Sequence, residues 1–264
     1  MNSPRDFIKE VCREESITLE LLSQEYVLRL TKNGVSRHIF GPYWDINSAV
    51  ADRIACDKTA CYTLLHNSGI PAVPHKLLLN PLRRGEWASP NGSLTRALAY
   101  FESNNQKLVV KPNNGTRGED VYYCATVHAL ECAIFAIFAT HPDAALSPYQ
   151  EIETEYRVFY LNGKYRFAYG KAAGTTWQHN LSQGATAFEI SSDATKKKLA
   201  KLAVLAATCI DINFATIDIA ESPAGELSIM EINSGIQARL LVDQHPHLRP
   251  TIKGIYSDAI HAMF

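Results

Sequence analysis

The runs Ala215-Thr-Ile-Asp218-Ile-Ala220 and Ile229-Met-Glu231-Ile-Asn233 flank a short turn containing Pro223 and Gly225. Residues two apart on a strand share a face, so Glu231 and Asn233 lie together while Met230 and Ile232 point the other way. A connecting turn of about four residues places Asp218 across the hairpin from Glu231. Two carboxylates and an amide oxygen held in this way suit magnesium, a hard cation that takes octahedral oxygen ligands and keeps positions for substrate phosphates. Without a cation the two carboxylates repel and shift one another's pKa. Taken alone, the same pattern also describes a hairpin with a solvated acidic face.

A second constellation lies upstream, where Lys111 closes the apolar run Leu108-Val-Val-Lys-Pro112 and Asn113-Asn-Gly115-Thr116-Arg117-Gly118 follows. A lysine leaving a strand beside a loop whose glycines keep backbone N–H groups open is a reasonable phosphate clamp. The order is not G-x-x-x-x-G-K-[ST], and by itself the segment reads more readily as a plain surface loop. Set beside the acidic hairpin, it supplies a cation for phosphates and a loop able to close over a bound metal.

These residues need elements to position them. Ser3 and Asp6 mark a helix start, with helical apolar spacing over 6–12. Strands at 26–30 and 35–40 flank Asn33-Gly34, a hairpin signal because both residues tolerate positive φ. Residues 48–67 read as helix broken near Asp57 and ended at Gly69, with Pro71 and Pro74 preventing continuation. Further helices are expected at 93–103, 129–139 and 197–209, the last presenting Leu199, Leu202, Ala203, Leu205, Ala206 and Cys209 to a sheet. Strands are expected at 108–112, 121–124, 157–161, 165–169, 215–220 and 227–232, with a second hairpin turn at Asn162-Gly163. The class is α+β, rich in antiparallel hairpins.

Composition narrows the function classes. The 264 residues carry 26 Lys and Arg against 27 Asp and Glu, so no global positive field exists to hold a polyanion and nucleic acid is not an expected partner. No uncharged apolar run is long enough for a membrane span and the first residues lack a signal-peptide core, so a cytoplasmic protein without membrane association is expected. The six cysteines form no C-x-x-C pair and read as reduced core thiols.

At this point the chain resembles the ATP-grasp superfamily, in particular carboxylate-amine ligases such as ribosomal-protein glutamate ligases, cyanophycin synthetase and the synthetase half of bifunctional glutathione enzymes. The resemblance runs from about Ala51 to Ile236 through an ordered set of loose motifs. These are Asp57-Lys58, Gly69-Ile-Pro71-Ala-Val-Pro74, Lys111-Pro112 with Gly115 and Gly118, Tyr149-Gln150-Glu151-Ile152, Glu155-Tyr-Arg157, Asn162-Gly163, Asn180 with Gly184, Asp218, and Met230-Glu231-Ile-Asn233.

The resemblance implies an ATP-grasp fold, two α/β lobes with antiparallel sheets clasping ATP behind a shortened N-terminal region. Its parts would be 1–56, a first lobe at 57–149 and a second at 150–264. It gives Lys58 and Lys111 to the ATP phosphates, with Gly115, Thr116 and Gly118 in the covering loop. Gln150, Glu151 and Ile152 would contact adenine at the hinge, and Glu155 the ribose. Arg157 would face the transferred phosphoryl and the carboxylate, with Lys171 and Asn180 beside it, and Asp218, Glu231 and Asn233 would hold Mg2+.

The activity so implied is ATP-dependent amide formation through an acyl phosphate, joining a small carboxylate to an amine on amino-acid-like substrates. No protein nucleophile is required, which agrees with the lack of a G-x-S-x-G elbow. An ATP-grasp small-molecule kinase and a non-catalytic ATP-binding module remain open as alternatives. Two departures touch the substrate. Only some 50 residues precede Asp57, so part of the acceptor site is either missing or supplied by a second copy in a homodimer, and Ser182-Gln183 and Ser234-Gly235 replace the loops usual in relatives.

Overall fold

The computed structural model describes residues 2–84, 92–115, 118–172, 174 and 181–264. Helix α1 (Pro4–Glu14) starts on Ser3, whose hydroxyl accepts from the Asp6 amide while the Asp6 carboxylate accepts from the Ser3 N–H. That reciprocal cap and Pro4 in the first turn satisfy donors a helix start leaves open. An antiparallel meander follows, β1 (Thr18–Leu22), β2 (Val27–Lys32), β3 (Val35–Phe40) and β4 (Tyr43–Trp44). The expected turn joins β2 to β3, with Asn33 at φ 51° and Gly34 at φ 79°. Strand β1 has no such sequence signal, because its turn, through Ser23, Gln24 and Glu25, takes positive φ without a glycine or asparagine.

The break expected near Asp57 separates α2 (Ala49–Cys56) from α3 (Lys58–Asn67). Asp57 has extended backbone, and its Oδ1 accepts from the amides of Thr59 (3.1 Å) and Ala60 (2.9 Å), which fixes where α3 begins. The first lobe is built from β5 (Lys76–Leu79), α4 (Pro81–Arg84), α5 (Ser93–Ser103), β6 (Leu108–Pro112), β7 (Tyr122–Cys124), α6 (Val127–Thr140) and β8 (Asp143–Pro148). Its antiparallel sheet has the order β5-β8-β6-β7, and Leu78, Phe101, Leu108, Val110, Leu130, Ile134, Ile137 and Leu146 form the core between that sheet and α5 and α6. Strands β5 and β8 are additions to the expected set, since short apolar runs carry no period that separates strand from helix.

The second lobe contains β9 (Thr154–Leu161), β10 (Lys164–Ala172), β11 (Thr186–Glu189), α7 (Asp193–Cys209), β12 (Phe214–Glu221), β13 (Leu227–Asn233), α8 (Arg239–Gln244) and α9 (Arg249–His261). The antiparallel order is β11-β10-β9-β12-β13. One face is apolar along its length: Val158, Tyr160, Ile217 and Ile219 meet Leu199, Ala203 and Ala206 of α7, together with Ala51, Ala55, Cys61 and Leu65, whereas Leu205, expected on the same helical face, is exposed.

The other face changes character partway along. At one end Phe159, Leu161, Tyr169 and Phe214 pack in a core with Phe7, Leu30, Trp44 and Tyr256, so the N-terminal meander, α1 and α9 cover it. Phe7 stacks on Tyr256 with ring centroids 5.2 Å apart. Two residues further along the same strands stand Arg157, Lys171 and Thr216, then Glu155 and Asp218. The sheet thus spends half of this face on a core and presents the other half as a charged surface. All six cysteines are free thiols, and no described helix is long and apolar enough to cross a membrane.

Candidate active site

Strand register assembles the site. Asp218 of β12 pairs with Arg157 of β9 on one side and Glu231 of β13 on the other, and Thr216 pairs with Asn233. Glu155 of β9 pairs with Lys171 of β10. The expected meeting of Asp218, Glu231 and Asn233 therefore occurs. A bulge departs from strict alternation: Asp218 opposes Glu231 but Ile219 opposes Ile229, leaving Met230 extra. Ile229 and Ile232 both enter the core as a result, which residues three apart on a regular strand could not do.

The charges are matched one against another. Both oxygens of Asp218 are taken by Arg157, Nε to Oδ1 at 2.7 Å and Nη2 to Oδ2 at 2.5 Å. Lys171 Nζ lies 3.2 Å from Asp218 Oδ1 and also contacts Glu155. Asn233 Nδ2 donates to Asp218 Oδ2 (3.2 Å) and Glu231 Oε1 (3.1 Å). Burial opposes ionisation of Asp218, but the adjacent Arg157 and Lys171 charges overcome it and hold its carboxyl well below the usual range. For Glu155 burial wins and its pKa is raised, although Lys171 pulls the other way.

Helix α3 and the first lobe contribute a second group of cations. Lys58, 8% exposed, opens α3 and reaches Gly115, Nζ donating to its carbonyl at 2.7 Å, and lies 3.9 Å from Glu231 Oε2. Lys111 is half-buried on β6, and desolvation together with the charge of Lys58 pushes its pKa down to about 8. Gly115 and Gly118 bound the loop, and the Gly118 carbonyl accepts from Gln183 Nε2 at 3.2 Å, so the loop touches both lobes. Thr116 and Asn180 lie outside the described residues. Gln150, Glu151 and Ile152 fall in the crossing from β8 to β9, with Gln150 and Glu151 exposed.

Asn113 is a site residue that sequence reasoning misses. It is 1% exposed, its carbonyl accepts from the Lys58 amide (3.2 Å), and its Oδ1 accepts from the Thr59 amide (3.1 Å). It thereby ties the root of the phosphate loop to the first turn of α3. An asparagine just after a strand-ending proline reads as turn chemistry, which masks this role.

The donor set meets the chemistry of a hard cation only in part. Glu231 keeps a side chain 30% exposed, and the Asn233 amide, with its nitrogen given to two carboxylates, leaves its oxygen for a cation. Asp218, with four donors on its two oxygens and 2% exposure, has no lone pair facing open space. Glu231 and Asn233 could hold magnesium together with nucleotide phosphates.

Residues 135–244 match a family model described as an ATP-grasp domain, the third family of its clade. Among solved structures, a D-alanine–D-alanine ligase from Bacillus anthracis superposes with a TM-score of 0.63 at 17% identity, over 82% of this chain and 68% of that one. The same ligase from Coxiella burnetii gives 0.56 at 16%, over 80% and 59%. The ATP-grasp ligase PsnB, solved with a minimal precursor, gives 0.57 at 16%, over 83% and 64%. No curated protein matches the chain by sequence. The fold is that of ATP-grasp proteins, two lobes with antiparallel sheets facing a shared cleft.

Proposed function

We propose that the protein is an ATP-dependent carboxylate-amine ligase acting on amino-acid-like substrates, with Mg2+ accompanying the nucleotide. The observation that carries this reading is the convergence of Lys58, Lys111, Arg157 and Lys171 with Asp218, Glu231 and Asn233, Lys58 reaching the Gly115 carbonyl. A carboxylate is a poor electrophile, and transfer of the ATP γ-phosphoryl makes it an acyl phosphate that an amine attacks with release of phosphate. Such transfer depends on positioning and charge neutralisation rather than on a protein nucleophile.

In this reading Lys58 and Lys111 bind nucleotide phosphates, and the loop from Gly115 to Gly118 closes over them and excludes water. Gln150, Glu151 and Ile152 line the adenine end. Arg157, half-buried and oriented by Asp218, presents a guanidinium suited to planar bidentate anions. Glu155, given to the ribose by resemblance, is built here as the counter-ion of Lys171. Glu231 and Asn233 would hold magnesium, which would supply charge neutralisation for the nucleotide phosphates. Asn180 is proposed beside the γ-phosphate.

The test is interception. Hydroxylamine supplied in place of the amine, with ATP and a panel of amino acids as the acid, is expected to give a hydroxamate with ADP and phosphate released in step. ADP with a stable phosphorylated product and no hydroxamate would select a kinase. Nucleotide binding without turnover under any pair of substrates would leave a binding module.

A further inference from the structure

The three groups read as magnesium ligands are not equivalent. Asp218 is the most deeply buried of them, and each of its oxygens receives two donors: Arg157 Nε and Lys171 Nζ on Oδ1, Arg157 Nη2 and Asn233 Nδ2 on Oδ2. A carboxylate oxygen has room for about two such partners, so a cation could join only by displacing one. Glu231 differs. Among the described residues its Oε1 has the single donor Asn233, its Oε2 faces Lys58 at 3.9 Å, and its side chain is open to the cleft.

The same bonds define a different task for Asp218. Among the described residues it is the one carboxylate bonded to both Arg157 and Lys171, and it sits between their strands and β13. Arg157 projects from a strand whose neighbouring same-face residue is the core residue Phe159. A long side chain there has many rotamers, and a fixed bidentate partner selects one.

Resting on the ligase reading above, we propose that Asp218 is a positioning residue that orients Arg157 and Lys171, and that the nucleotide-bound cation is held by Glu231 and Asn233 without it. This gives one cation site with a single carboxylate, an arrangement magnesium accepts because it retains waters and takes its remaining ligands from phosphates.

The experiment measures the affinity of the whole chain for a fluorescent ATP analogue in EDTA and in saturating Mg2+, and takes the ratio of the two Kd values as the metal contribution. Glu231→Gln and Asn233→Ala are expected to reduce that ratio by about tenfold or more. The double variant Asp218→Asn/Lys171→Met removes one charge of each sign, so the local field on the cation is preserved, and its ratio should stay within about threefold of the parent. A collapse in the double variant equal to that of Glu231→Gln overturns the assignment, while wild-type binding keeps the ATP-grasp reading intact. If the double variant does not fold, the isosteric Asp218→Asn takes its place: a ratio within about threefold of the parent upholds the assignment, and a collapse equal to that of Glu231→Gln, or an unchanged ratio in Glu231→Gln or Asn233→Ala, overturns it. A wild-type chain that binds the analogue under neither condition overturns both readings.

Discussion

Arg157 and Asp218 stand opposite each other on neighbouring strands, and the guanidinium grips the carboxylate with bonds of 2.7 and 2.5 Å, although the residues are 61 apart in sequence. That pair sets the expected consequences of substitution at the site.

Arg157→Ala should lower kcat by roughly 10²-fold or more, about 3 kcal/mol, with a smaller effect on ATP affinity, because the charge it stabilises develops during phosphoryl transfer. Arg157→Lys should recover only part, since an ammonium lacks the planar fork. A rise confined to the KM for ATP would make Arg157 a nucleotide holder instead.

Glu231→Gln is expected to abolish turnover with the urea midpoint close to wild type, because the carboxylate is 30% exposed and its buried neighbour Lys58, 3.9 Å away, keeps its bond to the Gly115 carbonyl. Asp218→Asn should abolish turnover as well and cost roughly 3 kcal/mol of stability, since Arg157 and Lys171 lose their shared counter-charge. Equal midpoints for the two variants would contradict this division.

Replacing Gly115 and Gly118 together by alanine should uncouple the reaction, with more ATP hydrolysed per hydroxamate. A Cβ at Gly115 would lie 3.0 Å from Pro112 Cβ, and Gly118 has a φ of 71° that alanine resists. Unchanged stoichiometry of ADP to hydroxamate would remove the loop from water exclusion.

Lys111, with its pKa pushed down to about 8 by desolvation and Lys58, should make nucleotide binding pH-dependent. The ammonium is the binding form, so affinity falls as pH rises through that value, and binding near it takes up a fraction of a proton. The folded chain holds this proton less tightly than the unfolded one, so the group's unfavourable contribution to stability is full below about 8 and relieved as pH rises toward 10.5. Calorimetry in buffers of different ionisation enthalpy measures the uptake, and Lys111→Arg should abolish it.

Asn113→Ala should weaken ATP binding by about fivefold to tenfold, since the loop root loses its side-chain bond to α3. Titration with the fluorescent analogue is the check, and an unchanged Kd would make the bond purely architectural.

What could be read from sequence was local. Asn33-Gly34 and Asn162-Gly163 named their hairpins, Asp57 named a helix break, and the spacing of Asp218, Glu231 and Asn233 named a shared face, because turn chemistry and strand alternation act over a few residues. Tertiary structure decided which strands are neighbours. Insertion of β9 between β10 and β12 set Asp218 against Arg157 and Lys171, and the bulge at Met230 placed Ile229 and Ile232 on one core face. Alternation fixes only the side of the sheet on which a residue lies. Whether that side is covered by Phe7, Trp44 and Tyr256 or left open to a cleft depends on burial by segments from both ends of the chain, a long-range balance that no local pattern carries.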